Sequence, residues 1–137
     1  MDISYKQLLP NISTFIFDVD GVLTNGMLTI MPDGELVRHM NVKDGYAIKI
    51  ALNTGFRVCI ISGGTNQAVK SRLAALGISD IYLGAHNKIQ QYNEIVEKYN
   101  LNPEHILYMV ESRQPQNHKA YIDHIDDLTA PRHSKDK

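Results

Sequence analysis

Four short apolar runs, rich in β-branched and aromatic residues, recur along the chain and are separated by amphipathic stretches. The runs cover residues 14–18, 56–62, 80–84 and 105–110. Because these runs are nearly continuous in apolar residues, each is typical of a strand that is buried on both faces. Buried strands that alternate with amphipathic helices form a mainly parallel sheet with helices on both sides. The sequence therefore predicts an α/β fold.

Three amphipathic stretches between the runs predict the helices. The first covers residues 44–53 and is followed by Gly55, a residue type that commonly ends helices. Thr65 is expected to cap the second helix and Asn87 the third, because short polar side chains accept hydrogen bonds from the first free N–H groups. The apolar residues expected to face the core from the first helix are Ala47, Ile48, Ala51 and Leu52.

One interval breaks the alternation of strands and helices. Residues 27–31 and 35–39 are both strand-like, and the turn sequence Pro-Asp-Gly joins them. Two strand-like segments around such a turn predict a β-hairpin. The hairpin, at about residues 27–39, is therefore an insertion after the first strand of the sheet.

Charge and cysteine content exclude several classes of protein. The chain carries 14 Lys and Arg against 15 Asp and Glu, a net charge of −1, which argues against a nucleic-acid partner. It contains no apolar run of ~18 residues and no signal-peptide pattern, so we expect no membrane partner and a cytoplasmic location. Cys59 is the single cysteine, which excludes an internal disulfide and a multi-cysteine zinc site.

The string Phe-Asp-Val-Asp-Gly-Val-Leu-Thr places Asp18 and Asp20 just past the end of the first predicted strand. In open α/β sheets that edge is where ligands bind. One carboxylate there can attack phosphorus, and a second can protonate the leaving oxygen and then activate water. Mg²⁺ would offset the repulsion between carboxylates and phosphate. The plain alternative is that the two acids cap a turn.

This string resembles the first motif of the haloacid-dehalogenase-like (HAD) phosphohydrolases. The resemblance implies that Asp18 is the nucleophile and Asp20 the general acid and base. It also implies that Asp18 and the main-chain carbonyl of Asp20 are Mg²⁺ ligands. The fold implied is a Rossmann-like sandwich of three layers.

Two further segments match the second and third motifs of that superfamily in order. Ser62 and Gly63 follow the second strand, where a hydroxyl and backbone N–H groups can hold phosphate oxygens. Lys88 stands at the start of the third helix, and its ammonium can neutralise the nucleophile and the phosphate. The plain alternatives are a turn at Ser62 and a solvated lysine at position 88.

Residues 10–110 narrow the match to one family. Thr-Asn-Gly at 24–26, the hairpin and Asn-Val-Lys-Asp-Gly-Tyr-Ala-Ile at 41–48 resemble the 3-deoxy-D-manno-octulosonate 8-phosphate (KDO 8-phosphate) phosphatases, in which a hairpin takes the place of a cap domain. The resemblance implies a homotetramer assembled through the hairpins. The implied interface residues are Leu28, Ile30, Leu36 and Val37. Alternatively, these four side chains pack on their own domain.

Arg38, Lys43 and Asp44 follow the hairpin and are candidates for the substrate entrance. Their alternative roles are those of exposed charges or of a helix cap. Both alternatives remain open from the sequence.

The fourth motif of the superfamily, usually Gly-Asp-Asp, is altered. Glu111 stands where the first Asp is expected and adds one methylene, and Ser112 replaces the second acid. Octahedral Mg²⁺ tolerates badly placed ligands poorly, so we expect Glu111 to be a weakened metal ligand. Asp126 and Asp127, further along the chain, are an alternative source of the acidic pair that the fourth motif lacks. Residues 1–110 are thus predicted to be the phosphatase core, and residues 111–137 an atypical polar tail that arose by divergence, truncation or a changed reading frame.

These observations together predict a Mg²⁺-dependent phosphomonoesterase. The resemblance implies KDO 8-phosphate as substrate and a place in lipopolysaccharide biosynthesis. Two alternatives remain: a catalytically impaired scaffold or assembly domain, and a phosphatase for a nine-carbon sialic-type acid 9-phosphate.

Overall fold

A parallel sheet of four strands forms the centre of the computed structural model, which describes residues 5–111. Its order is β5-β4-β1-β6, with bounds β1 (Thr14–Phe17), β4 (Arg57–Ile61), β5 (Asp80–Tyr82) and β6 (Ile106–Met109). The four predicted strands are therefore confirmed. Phe17 lies opposite both Ile60 and Met109, so the strands end together at one edge of the sheet.

Helices cover both faces of this sheet. They are α2 (Val42–Asn53), α3 (Gln67–Ala75) and α4 (Lys88–Tyr99), preceded by a short α1 (Tyr5–Leu8). One apolar cluster joins Ile48 of α2 and Leu73 of α3 to the sheet, and a second joins Ile95 of α4 to its other face. The predicted α/β architecture with three layers is confirmed.

The helix starts differ from the predictions. The Asn41 side chain accepts a hydrogen bond from the Lys43 N–H, so α2 begins two residues before position 44. Asn66, not Thr65, caps α3, because its side chain accepts from the Val69 N–H. For α4 the prediction that Asn87 occupies the N-cap position is confirmed, but its side chain donates or accepts no capping hydrogen bond.

The buried side of α2 also differs from the prediction. Ala47 is exposed, whereas Gly45 and Ile48 are buried against the core. The side chains of Ala51 and Leu52 are half-buried and pack against the same cluster. The stripe that faces the sheet is therefore rotated away from Ala47.

The hairpin is present but shorter than its predicted span. It consists of β2 (Thr29–Ile30) and β3 (Leu36–Val37) paired antiparallel. Leu36 is half-buried, but Leu28 and Val37 are exposed and Ile30 is 75 % exposed. The alternative that these residues pack on their own domain is therefore wrong for Ile30, whereas Leu28, Leu36 and Val37 are each partly covered by their own domain.

Some predictions fall outside residues 5–111. They concern Ser112, Asp126, Asp127 and the polar tail that follows Glu111. Within the described part of the chain, no helix combines the length and the apolar character that crossing a bilayer requires.

Candidate active site

Asp18 lies directly after β1 at the carboxyl edge of the sheet and is only 2 % exposed. Its backbone N–H donates to the Met109 carbonyl at 3.0 Å, which fixes it between β1 and β6. The carboxylate Oδ1 accepts from the Val19 N–H at 2.7 Å, and Oδ2 accepts from the Lys88 ammonium. Both carboxylate oxygens are thus held by positively polarised groups.

Lys88 reaches Asp18 from the first residue of α4 and is itself 2 % exposed. The alternative of a solvated lysine is therefore wrong. Taking two charges out of water is costly, and a buried pair adds little net stability compared with apolar packing. Such a pair in a place where ligands bind is a candidate functional site.

The turn after Asp18 is tightly closed by backbone hydrogen bonds. The Val19 carbonyl accepts from the N–H groups of Leu23 and Thr24 at 2.9 and 3.1 Å. Gly21 adopts φ +84°, a conformation that favours glycine, and its N–H donates to the Thr24 hydroxyl at 3.3 Å. This turn fixes the backbone of Asp20 beside Asp18.

Arg38 binds the Asp20 carboxylate through two hydrogen bonds. Its Nε–H donates to Oδ1 at 2.7 Å, and its Nη2 group donates to Oδ2 at 3.1 Å. The Arg38 side chain is only 7 % exposed, and the hydrogen bond to Asp20 raises the pKa of the guanidinium above its ordinary value. The alternative of an exposed charge is wrong for Arg38, whose contact with Asp20 the sequence did not reveal.

Ser62 follows β4 at the same edge and is buried. Its backbone N–H donates to the Tyr82 carbonyl at 2.8 Å, and its carbonyl accepts from the Ala85 N–H at 2.9 Å. The Ser62 hydroxyl accepts from the Gly64 N–H at 3.3 Å. Gly63 in the loop that follows is exposed, and the Gly64 carbonyl accepts from the Gly84 N–H at 3.0 Å, which joins this loop to the one after β5.

A polar cavity of about 670 Å³ lies between this loop and the hairpin. Its lining includes Glu35, Leu36, Arg38, Gly63, Gly64 and Asn66. Of the predicted entrance residues, Arg38 lines the cavity. Lys43 and Asp44 are exposed in the first turn of α2 and are not among the described residues that line it.

Glu111 follows β6 and turns its side chain toward the loop that carries the two aspartates. Its Oε2 lies 2.6 Å from the position that a Cβ on Gly21 would occupy. Glu111 therefore lies against the first motif, as the sequence order predicts for a residue of the fourth motif.

The residues around Asp18 supply oxygen donors, the kind that Mg²⁺ prefers. The candidates are the Asp18 carboxylate, the Asp20 main-chain carbonyl and the Glu111 carboxylate. Within residues 5–111, no three His, Cys, Asp or Glu side chains cluster closely enough to hold a metal on their own. Mg²⁺ usually binds through one or two carboxylates and keeps several waters, so this donor set fits it.

Comparison with known proteins finds KDO 8-phosphate phosphatases among the proteins similar to this chain. A 3-deoxy-D-manno-octulosonate 8-phosphate phosphatase from Escherichia coli K12 is 39 % identical over 99 residues, which are 72 % of this chain and 53 % of that protein. The chain thus spans about half the length of the curated relatives it matches. No family model matches the chain.

Solved structures give the same result. The Yersinia pestis enzyme of that name superimposes with a TM-score of 0.74 at 32 % identity, covering 77 % of this chain and 57 % of the other. The Moraxella catarrhalis enzyme, in complex with magnesium, phosphate and KDO, gives 0.72 at 27 % identity, covering 78 % and 61 %. Over about three quarters of its length the chain is therefore similar to KDO 8-phosphate phosphatases in both sequence and structure.

Proposed function

We propose that this protein is a Mg²⁺-dependent phosphomonoesterase that hydrolyses KDO 8-phosphate to the sugar acid and phosphate. The observation that carries the proposal is the buried ion pair of Asp18 and Lys88 beside Ser62 at the carboxyl edge of the sheet. A fixed carboxylate, a fixed cation and a hydroxyl at one edge suit the transfer of a phosphoryl group to the carboxylate.

The first step transfers the phosphoryl group. An Asp18 carboxylate oxygen attacks phosphorus and forms an aspartyl-phosphate, while the bond from phosphorus to the sugar oxygen breaks. The protonated Asp20 carboxyl gives its proton to that leaving oxygen. Lys88, the Ser62 hydroxyl and the backbone N–H of Gly63 hold the phosphoryl oxygens and balance their charge.

The second step hydrolyses the aspartyl-phosphate. Asp20, now ionised, takes a proton from a water molecule that attacks phosphorus, and the Asp18 carboxylate leaves with both its oxygens. Asp18, the Asp20 carbonyl and Glu111 would hold Mg²⁺, which supplies positive charge against the repulsion between carboxylates and phosphate. Glu111 is included because its carboxylate lies against Gly21 within this loop.

The relatives support KDO 8-phosphate as the substrate. The E. coli and Y. pestis proteins are named for KDO 8-phosphate, and the M. catarrhalis structure contains KDO and phosphate. The cavity of about 670 Å³ lined by Gly63 and Arg38 is large enough for a sugar acid of eight carbons.

We also propose that residues 1–110 form the phosphatase core and that the hairpin assembles the chain into a homotetramer. Exposed Ile30, Leu28 and Val37 support this, because apolar side chains grouped on a hairpin favour burial against another surface. Light scattering tests the assembly: Ile30→Asp should lower the mass of the particle, whereas Lys49→Asp on the exposed side of α2 should leave it unchanged.

The test of function is phosphate release from KDO 8-phosphate with and without Mg²⁺. Wild type should turn over with Mg²⁺ and lose activity in EDTA, and Asp18→Asn should abolish turnover. Glu104→Gln is the matched control, because Glu104 is exposed just before the amino end of β6, whereas Asp18 lies at the carboxyl edge of the sheet. Full turnover by Asp18→Asn would contradict the proposal. A folded wild type that is inactive on both KDO 8-phosphate and a nine-carbon 9-phosphate would favour the scaffold alternative.

A further inference from the structure

The contact between Arg38 and Asp20 occupies both oxygens of the proposed general acid. The two donors are the Nε–H and Nη2 groups of one guanidinium, at 2.7 and 3.1 Å from Oδ1 and Oδ2. A third donor, Nη1, lies 3.3 Å from the Leu36 carbonyl. Arg38 follows β3 directly, so the hairpin determines the position of this guanidinium beside Asp20.

This arrangement conflicts with one step of the proposed reaction. A carboxyl that protonates a leaving oxygen must itself carry the proton on one oxygen. A guanidinium has only donors, so it cannot accept a hydrogen bond from that proton. While Arg38 contacts both oxygens, Asp20 is therefore held in position but is not free to donate a proton.

The same guanidinium lies next to the loop proposed to bind phosphate. Arg38 Nη2 is 3.1 Å from the position that a Cβ on Gly64 would occupy, and the Ser62 Oγ is 3.7 Å from that same point. Arg38 also lines the adjacent polar cavity. An anion held by the Ser62 loop would thus compete directly with Asp20 for the guanidinium, which binds phosphate oxygens as readily as carboxylate oxygens.

We propose that Arg38 is a positioning residue that exchanges partners during turnover: it holds the Asp20 carboxylate in the resting site and passes at least one N–H to the substrate phosphate when that anion binds. The exchange releases one Asp20 oxygen to carry the proton for the leaving group. This inference rests on the proposed function and deepens it, because it assigns the hairpin a role in the same site.

Kinetics with two substrates test the role of Arg38. An alkyl phosphate such as KDO 8-phosphate needs a proton on its leaving oxygen, whereas p-nitrophenyl phosphate hardly does. Because kcat/KM reports on phosphoryl transfer to Asp18, the loss of phosphate contact in Arg38→Gln should lower it for both substrates. The loss of Asp20 positioning should lower it at least tenfold more for the alkyl phosphate. Arg38→Lys should recover part of the kcat/KM that both substrates lose, because a positive charge remains near the phosphate. It should not restore the wild-type ratio of kcat/KM for KDO 8-phosphate to kcat/KM for p-nitrophenyl phosphate.

The controls separate positioning from general damage. Lys49→Gln removes an exposed positive charge from α2 and should change neither substrate's kcat/KM. Circular dichroism should show that the Arg38 variants are folded. An equal loss for both substrates in folded Arg38→Gln would overturn the positioning role and leave Arg38 as a plain phosphate ligand.

A second measurement needs no turnover. The ¹⁵N NMR signal of the Arg38 side-chain Nε–H, assigned from its absence in Arg38→Lys, should shift when Asp20→Asn removes its charged partner. Inorganic phosphate should shift it too, together with the Gly64 amide. If phosphate moves the Gly64 amide but not the Arg38 signal, the exchange is wrong while the phosphate site stands. If phosphate moves neither signal, the phosphate site of the proposed function fails and the exchange fails with it.

Discussion

The Glu111 carboxylate fills the space beside Gly21: its Oε2 lies 2.6 Å from where a Cβ on that glycine would be. This contact joins the end of β6 to the turn after β1. Position 21 therefore has two reasons to be glycine, the positive φ of +84° and the approach of Glu111.

We predict that Gly21→Ala destabilises the fold and displaces Glu111. A Cβ in the left-handed region costs about 1–2 kcal/mol, and the clash with Oε2 adds to it. Gly34→Ala is the matched control, because Gly34 has φ +89° but no heavy atom within 4 Å of the Cβ position. Urea unfolding should show a larger loss for Gly21→Ala. Equal losses for the two variants would show that the Glu111 contact is not present in solution.

The ion pair of Asp18 and Lys88 gives the second prediction. Lys88→Met should lower the free energy of unfolding by about 3–5 kcal/mol, because it leaves a carboxylate buried without its partner. Adding Asp18→Asn should recover most of that stability, yet activity should remain absent. Denaturant unfolding and phosphate release measured on the single and double variants check this. If Lys88→Met alone unfolds like wild type, the pair is not buried as described.

Much of this site could be predicted because its signals are local. Asp18, Ser62 and Glu111 each follow an apolar run, and parallel strands end at the same edge of a sheet. Lys88 begins the helix that follows β5, so the loop after that strand brings it to the same edge. The ends of the apolar runs and the order of the motifs along the chain were sufficient to name these four residues.

The contact of Arg38 with Asp20 could not be predicted in the same way. It joins residues 18 positions apart, and it depends on how the hairpin folds back over the sheet edge rather than on any local pattern. The prediction that Thr65 caps α3 was wrong by one residue. Thr65 and Asn66 are adjacent and both suit an N-cap, and the path of the loop after Ser62 decides between them.

Glu111 gives the third prediction, on the metal. If its carboxylate is a ligand, Glu111→Ala should raise the Mg²⁺ concentration needed for half-maximal activity by at least ~10-fold, since a hard cation that loses an oxygen donor binds more weakly. Glu104→Ala, at an exposed position before β6, is the control. Calorimetric titration of Mg²⁺ into both variants measures the affinity without turnover. Unchanged affinity in Glu111→Ala would exclude Glu111 as a ligand.

The last prediction concerns Asp80, at the edge of the sheet opposite Asp18. The Asp80 carboxylate accepts hydrogen bonds from the Lys98 ammonium at 2.8 Å and from the Tyr99 hydroxyl at 2.5 Å. Burial alone would raise the pKa of Asp80, but these two hydrogen bonds, together with the positive charges of Lys98 and Arg57, outweigh it and lower the pKa below its ordinary value. The contact therefore stabilises the fold fully above the pKa of an unfolded aspartate, about 3.9, and less as the pH falls below it.

Tyr99→Phe removes one of these donors without changing the charge. We predict that it lowers the free energy of unfolding by about 1.5–3 kcal/mol at pH 6, the range for a hydrogen bond to a charged group. Near pH 2 the difference should shrink, because a protonated Asp80 gains less from the hydroxyl. Tyr46→Phe, at a position 68 % exposed, should change stability little at either pH. A Tyr99→Phe deficit that is the same at both values would mean that the hydroxyl contributes through packing and not through the Asp80 charge.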